Sequence, residues 1–347
     1  MTALTTPKDL LSAGLIDETA LESAERVAAR YAISLTDDVA RLIDPADAKD
    51  PIARQYLPRL EELTILPGER EDPIGDHAHA PVAGIVHRYP DRVLLKAVHV
   101  CPVYCRFCFR REMVGPAGDG MLAGESLDGA LDYIAHHPEI WEVIITGGDP
   151  LVLSPRRLAS LMQRLGGIDH VKIIRFHSRV PVVDSGRIDE GLIEALRASG
   201  KTVYVALHAN HAREFTPEAK AAVDRLISGG VTMVSQSVLL KGVNDSVEAL
   251  EALMRGFVEM RVKPYYLHHP DLAPGTSHFR LGIDEGRTLV EALRRRVSGL
   301  CMPAYILDVP GGSGKVPLTE SPVMAVGEGG YEISDRHGET HVYRDEA

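Results

Sequence analysis

Short β-branched runs alternate with longer stretches of helical period along most of this chain. The runs are RVLLKAVHV (92–100), WEVIITG (141–147), HVKIIRF (170–176), TVYVALH (202–208), VTMVSQSVLL (231–240), VKPYYLH (262–268) and PAYILDV (303–309). Their length and residue types predict strands. Between them lie LDGALDYIAHH, SPRRLASLMQRLGG, RIDEGLIEALRASG, TPEAKAAVDRLISGG, SVEALEALMRGFVEM and DEGRTLVEALRRRV. Apolar residues return in these every third or fourth position, several open on a Ser, Thr or Asp cap, and three close on glycine, all signs of helices. Strand and helix repeat at roughly thirty-residue spacing, which predicts a parallel sheet with right-handed crossovers.

Residues 1 to about 65 carry helical spacing, as in ETALESAERVAARYAI and PIARQYLPRLEELTIL, and read as a small helical cap. The stretch PGEREDPIGDHAHAP (67–81) is rich in Pro, Gly and charge and reads as a linker. The expected division is therefore a cap and linker over 1–80, an α/β core over 81–300 and a C-terminal segment over 301–347. Unusual polar groups sit just after the strands: cysteines after the first run, then GGDP, HSR, HANH, Gln236 within the fifth run, HHPD and DVPGGSGK. Ligand groups spread over six or seven strand ends suit a partial TIM-type (β/α)6 barrel. A doubly wound sheet would gather them at one switch point.

Composition narrows the setting. At 45% hydrophobic and 25% charged residues the chain is an ordinary globular sequence. Its formal net charge of -11 opposes a phosphate backbone, and the basic run RRR (294–296) is short, so no nucleic-acid partner is expected. No apolar stretch reaches the ~18 to 20 residues of a membrane span. The N-terminus lacks a basic start followed by an apolar run, so a cytoplasmic location is expected, with thiols kept for metal or catalysis.

Three of the four cysteines, Cys101, Cys105 and Cys108, fall in CPVYCRFCFRR (101–111). Structural zinc is one reading, but it wants four ligands in spaced pairs, and His99, on the presumed strand, is a poor fourth. Three thiolates suit an iron–sulfur cubane with one iron open to another ligand. The Cys-x3-Cys-x2-Cys spacing, with Phe107 before Cys108, resembles the radical S-adenosylmethionine superfamily, and YCRFCFRR is similar to its lysine 2,3-aminomutase branch. The resemblance covers roughly residues 85 to 320 and implies a radical S-adenosylmethionine barrel, a [4Fe-4S] cluster and S-adenosyl-L-methionine chelated to the open iron. A reductant such as flavodoxin or ferredoxin would serve as partner, and a homo-oligomer is compatible with it.

The same resemblance assigns further residues. Gly147, Gly148 and Asp149 in TGGDP match the glycine-rich segment at the methionine amino group; a tight strand-to-helix turn is the plain alternative. Ser178 and Arg179, His208 and Gln236 match motifs near the adenosyl group. Lys315 in DVPGGSGKVP lacks the Ser or Thr of a phosphate-binding Walker loop. A lysine at a ligand face can instead form a Schiff base with an aldehyde, and Lys315 matches the family lysine that holds pyridoxal 5′-phosphate. Arg88 and Tyr89 in VHRYPDR resemble residues that grip the phosphate of that cofactor, or else an exposed turn. Arg110 matches the arginine that takes the substrate carboxylate. Asp271 and Asp308 match the aspartates that receive the ε-ammonium of lysine; singly, each would read as a helix cap or surface charge.

Two departures qualify the match. Long-form relatives place a zinc-binding cysteine where this chain has Ser246, and no cysteine follows Cys301, so no zinc is expected. Cys301 itself reads as a packing thiol. HSRVPVV and PYYLHH are similar to bacterial mutases that make (R)-β-lysine for elongation factor P, whereas DVPGGSGK is closer to enzymes acting on free lysine. The expected activity is an isomerase shifting the amino group of L-lysine to give β-lysine. Alternatives are the elongation factor P branch, another amino acid as substrate, or a non-catalytic iron–sulfur or zinc protein.

Overall fold

The computed structural model describes residues 3–114, 120–319, 322–327, 330–334 and 339–344. Nine strands hydrogen-bond in sequence order. They are β1 (Ile85–Tyr89), β2 (Arg92–Val98), β3 (Glu142–Gly147), β4 (Ile173–Ser178), β5 (Thr202–His208), β6 (Thr232–Val238), β7 (Lys263–His268), β8 (Ala304–Val309) and β9 (Gly314–Pro317). Strands β2 to β8 are parallel, while β1 and β9 close the two edges as antiparallel hairpins. Each of the β-branched runs becomes one of the parallel strands. The expected partial barrel is present, widened by two edge strands too short and too interrupted by turn residues to show a period.

Four helices precede the sheet: α1 (Pro7–Ser12), α2 (Glu18–Ala28), α3 (Asp37–Ala40) and α4 (Pro51–Tyr56). The crossovers carry α5 (Gly124–Ala135), α6 (Pro155–Gly166), α7 (Val180–Val183), α8 (Glu190–Arg197), α9 (Pro217–Ser228), α10 (Val247–Glu259) and α11 (Ile283–Arg296). Side-chain caps start three of them: Asp189 accepts from Leu192 N–H, Thr216 from Ala219 and Ser246 from Ala249. Ser246 thus spends its hydroxyl as the cap of α10. The apolar stripe of each helix packs on the outer face of the sheet, as Leu158, Leu161, Met162 and Leu165 of α6 do. Beyond β9, strands β10 (Val323–Gly327), β11 (Gly330–Ser334) and β12 (Thr340–Arg344) form a separate antiparallel sheet.

Alternation along the strands separates lumen from core. Val143, Ile145, Ile174, Phe176, Val205 and Leu207 are buried outward, under the helices. Their neighbours Thr146, Arg175, His177, His208 and Gln236 line a central cavity of about 410 Å³. Most barrels of this type fill that space with side chains; here it stays open.

The N-terminal helices pack on the barrel: Leu10, Leu35, Ile52 and Tyr56 belong to the same continuous core as its strands. The stretch over 67–81 is a packed strap. A Cβ on Gly75 would stand 2.5 Å from the Gly311 carbonyl carbon, and one on Gly312 would meet the His79 ring at 2.6 Å. Gly, Pro and charge mark a loop in sequence, and a loop pressed against another hairpin carries the same marks as a free tether. Cys301 is buried in the main core. Among the described residues no helix is long and apolar enough to cross a membrane.

Candidate active site

The loop after β2 carries Cys101, Cys105 and Cys108, and the N-terminal segment holds it in place. Arg106 is buried within it and meets the buried Glu62 carboxylate with Nη2 at 2.6 Å and Nε at 2.9 Å, while Arg111 bonds the same carboxylate. Arg106 also donates to Ala32 O at 2.8 Å, its backbone N–H donates to Gln55 O, and Tyr104 N–H donates to Ser34 O. His99 lies just past β2, not on it. A single buried carboxylate serving two arginines is strong only while every partner is present.

Burial raises all three thiols above their ordinary range, Cys105 to about 12, and Cys101 and Cys105 also feel the negative charge a neighbouring cysteine would carry. Left alone they are neutral; a bound metal must displace their protons. The backbone N–H groups of Asp149 and Arg110 offset part of that rise at Cys101 and Cys108. Among the described residues no three His, Cys, Asp or Glu side chains converge as ligands of a single ion do. A cubane asks for a different arrangement, one cysteine per iron at separate corners, and a loop with three neighbouring thiols fits it.

Gly147 and Gly148 stand behind this loop. Added Cβ atoms there would lie 2.2 Å from the carbonyl oxygens of Val98 and Val100, so only glycine lets the end of β3 press against the cysteine loop. Gly148 N–H donates to Val98 O at 2.6 Å and Asp149 N–H to Val100 O at 3.0 Å. The Asp149 carboxylate accepts from Ser178 Oγ at 2.7 Å, Arg179 N–H at 2.6 Å, Leu151 N–H at 3.1 Å and Val180 N–H at 3.2 Å. Asp149 and Ser178 therefore latch β3 to β4. With Cys101, Gly147 and Gly148 they are not on the cavity wall, where Cys105, Cys108, Arg179, His208 and Gln236 are.

The other candidates meet inside the cavity. Arg88 Nη2 reaches Asp76 Oδ1 at 3.2 Å and Arg110 Nη2 reaches Asp76 Oδ2 at 2.9 Å, all three groups being buried. Arg88 Nε has no hydrogen-bond partner among the described residues. On the opposite edge of the sheet, Lys315 pairs in register with Asp308, and its Nζ lies 2.6 Å from Asp308 Oδ1. The Lys315 N–H donates to Tyr89 Oη at 2.9 Å, tying β9 to β1. Asp308 Oδ2 is 3.1 Å from His268 Nδ1. Burial opposes charge on Asp308, yet His268 and Lys315 hold it well below the carboxylate range. Asp271 goes the other way: burial and the charge of Asp308 push it up to about 7.

His208 and Gln236 are register partners on β5 and β6. Burial, with Arg179 and other cations around it, lowers His208 to about 3, and its Nε2 is buried without a partner among the described residues. His177 lies beside it with ring centroids 5.4 Å apart. Sequence reading missed Asp76, His177, His268 and the Arg175–Glu142 ion pair at 2.8 Å. A charged residue inside an otherwise apolar strand, as in IIRFHS, is the signal that would have found Arg175 and His177, since it points to a polar lumen.

Oppositely charged pockets thus face each other: a guanidinium pair for anions, and a carboxylate pair beside an amine. A lysine nitrogen reachable from the cavity, guanidinium donors with an unused Nε, and a volume within the range of small-molecule sites are compatible with pyridoxal phosphate. Residues 95–254 match the model of the Radical SAM superfamily. An L-lysine 2,3-aminomutase of Clostridium subterminale is 40% identical over 293 residues, 84% of this chain and 70% of that protein. The L-lysine 2,3-aminomutase of Escherichia coli (strain K12) is 35% identical over 316 residues, 91% of this chain and 92% of that one. A glutamate 2,3-aminomutase of Clostridioides difficile (strain 630) is 34% identical over 308 residues, 88% of this chain and 72% of its own.

Proposed function

Since the chain belongs to the lysine 2,3-aminomutase family of the radical S-adenosylmethionine superfamily, we propose that its own substrate is L-lysine, converted to β-lysine with pyridoxal phosphate as second cofactor. When bound, the cluster with S-adenosylmethionine supplies a radical able to take hydrogen from an unactivated carbon, and the pyridoxal aldehyde supplies the conjugated system through which nitrogen migrates.

The protein's part is holding, orienting and shielding. Cys101, Cys105 and Cys108 would carry the cluster, with the Asp149 and Arg110 N–H groups favouring the ionised form of Cys101 and Cys108. Lys315 holds an aldehyde only through an uncharged Nζ, so its ion pair with Asp308, 2.6 Å away, would be given up when the cofactor is held. With Nζ so engaged, Asp308 Oδ1 is open to another cation. Arg88, through its free Nε, would hold the phosphate, and Arg110 the substrate carboxylate. Phe107 and Phe279 pack edge to face, 5.9 Å between centroids, and with Leu240 form an apolar wall that keeps water from the reacting carbons. Anchoring the amino acid at both ends leaves one carbon facing the radical, which is a gain of orientation.

One observation carries the choice of lysine: Asp271 and Asp308 line the same cavity, and burial with the charge of Asp308 pushes Asp271 up to about 7. A terminal ammonium relieves that repulsion, whereas the side-chain carboxylate of glutamate would add a third negative charge. Anaerobic reconstitution with both cofactors, followed by product analysis, tests it. β-Lysine should form, and turnover of glutamate should be at least about 100-fold lower, as like charges brought together cost several kcal/mol. Comparable formation of β-glutamate would refute the assignment.

A further inference from the structure

Resting on that reading, we propose that His268 supplies a third acceptor to the ammonium pocket, so that Asp271, Asp308 and His268 Nε2 together form a cradle for a primary –NH3+. His268 ends β7, is 6% exposed and lines the cavity beside both aspartates. Its Nδ1 faces the Asp308 carboxylate, which is an acceptor only, so the ring proton sits on Nδ1. Burial lowers the ring's affinity for a second proton, leaving a lone pair on Nε2. That Nε2 is buried and has no partner among the described residues.

A bare buried nitrogen is uncommon and asks for a donor. The neighbours do not provide one. Tyr266 meets the His268 ring at 5.7 Å, edge to face, and its hydroxyl oxygen accepts from Tyr265 Oη without reaching His268 Nε2. Lys315 Nζ is bound to Asp308 Oδ1. His208, close enough to feel a charge on His268, has a bare Nε2 of its own. An ammonium brings three N–H donors. Two carboxylates take two and more than offset the single positive charge; a neutral nitrogen takes the third without adding another negative group.

Binding of L-lysine and of L-norleucine, which ends in a methyl group, to the cofactor-loaded, unreduced enzyme distinguishes the possibilities by titration calorimetry. A wild type that does not prefer lysine to norleucine would count against the lysine reading itself. His268→Asn keeps a donor for Asp308 and removes Nε2. Lysine should then bind roughly 10- to 100-fold more weakly, the worth of a hydrogen bond to a charged group, with norleucine unchanged. His268→Gln, which returns an amide oxygen near the Nε2 position, should recover part of the loss and serves as the test if the Asn variant does not fold. Lysine affinity unchanged in His268→Asn, no recovery in His268→Gln, or an equal loss for norleucine would overturn the proposal.

Discussion

Asp76 sits between two guanidiniums, Arg88 on β1 and Arg110 in the cysteine loop, and bonds both. Burial works against its charge, but Arg110 with Lys96 and Arg88 outweighs burial and holds it below the ordinary range. A carboxylate lowered on folding adds stability above its unfolded value near 4, and that stability is lost as pH falls through the folded value. Asp76→Asn leaves two buried arginines without their counter-charge. We expect a loss of about 3 kcal/mol at neutral pH, read from the urea midpoint, and a smaller difference from wild type in acid. A neutral-pH change under about 1 kcal/mol would mean that water or other groups satisfy the arginines. Nothing in PIGDHAH singled this residue out: an aspartate in a Gly- and Pro-rich stretch reads as a turn, and its partners lie on elements 12 and 34 residues away.

At the scale of elements, the N-terminal segment and the cysteine loop fold as one piece. Glu62 joins Arg106 and Arg111 across it, and Gln55 and Ser34 accept from the loop backbone. Glu62→Gln removes one charge from a buried triad and should cost about 3–5 kcal/mol. Iron and sulfide retained per chain after reconstitution should fall with it, whereas Cys301→Ser, in the core away from the loop, should retain both in full. Full retention in Glu62→Gln would show that the loop needs no clamp. The parallel strands were legible because the face each buries under the helices fills its run with β-branched and apolar residues. Strands β1 and β9 were not, since they are held by hairpins and by Tyr89 on the Lys315 backbone, contacts with no local signature. The same limit hid the use of TGGDP: its spacing marked a strand end, but only packing shows Gly148 against Val100 and Asp149 latched to Ser178.

Over the whole molecule, an open lumen replaces the usual packed barrel centre, and charge is sorted around it. Arg88 and Arg110 lie with Asp76 on one side of the sheet's gap, Asp271 and Asp308 with Lys315 on the other. Arg88, Arg110, Asp271, Asp308 and Lys315 could be picked from the sequence because they match motifs of the family it resembles, and Asp76 could not. Their grouping around one lumen could not, for it depends on β9 meeting β1 through Tyr89 and the Lys315 backbone. The central claim is that a substrate ammonium lands against Asp271, and proton uptake or release on binding reports on it. With Asp271 near 7 in the empty site, a cation lowers that value, so lysine should release close to one proton at pH 6 and almost none at pH 8. Lysine affinity should accordingly weaken about tenfold for each pH unit below 7. The measurement is calorimetry in buffers of different ionisation enthalpy, with norleucine subtracted to cancel protons exchanged at Lys315. An excess release for lysine that disappears above pH 8 is the expected result; equal release by lysine and norleucine at pH 6 would contradict it.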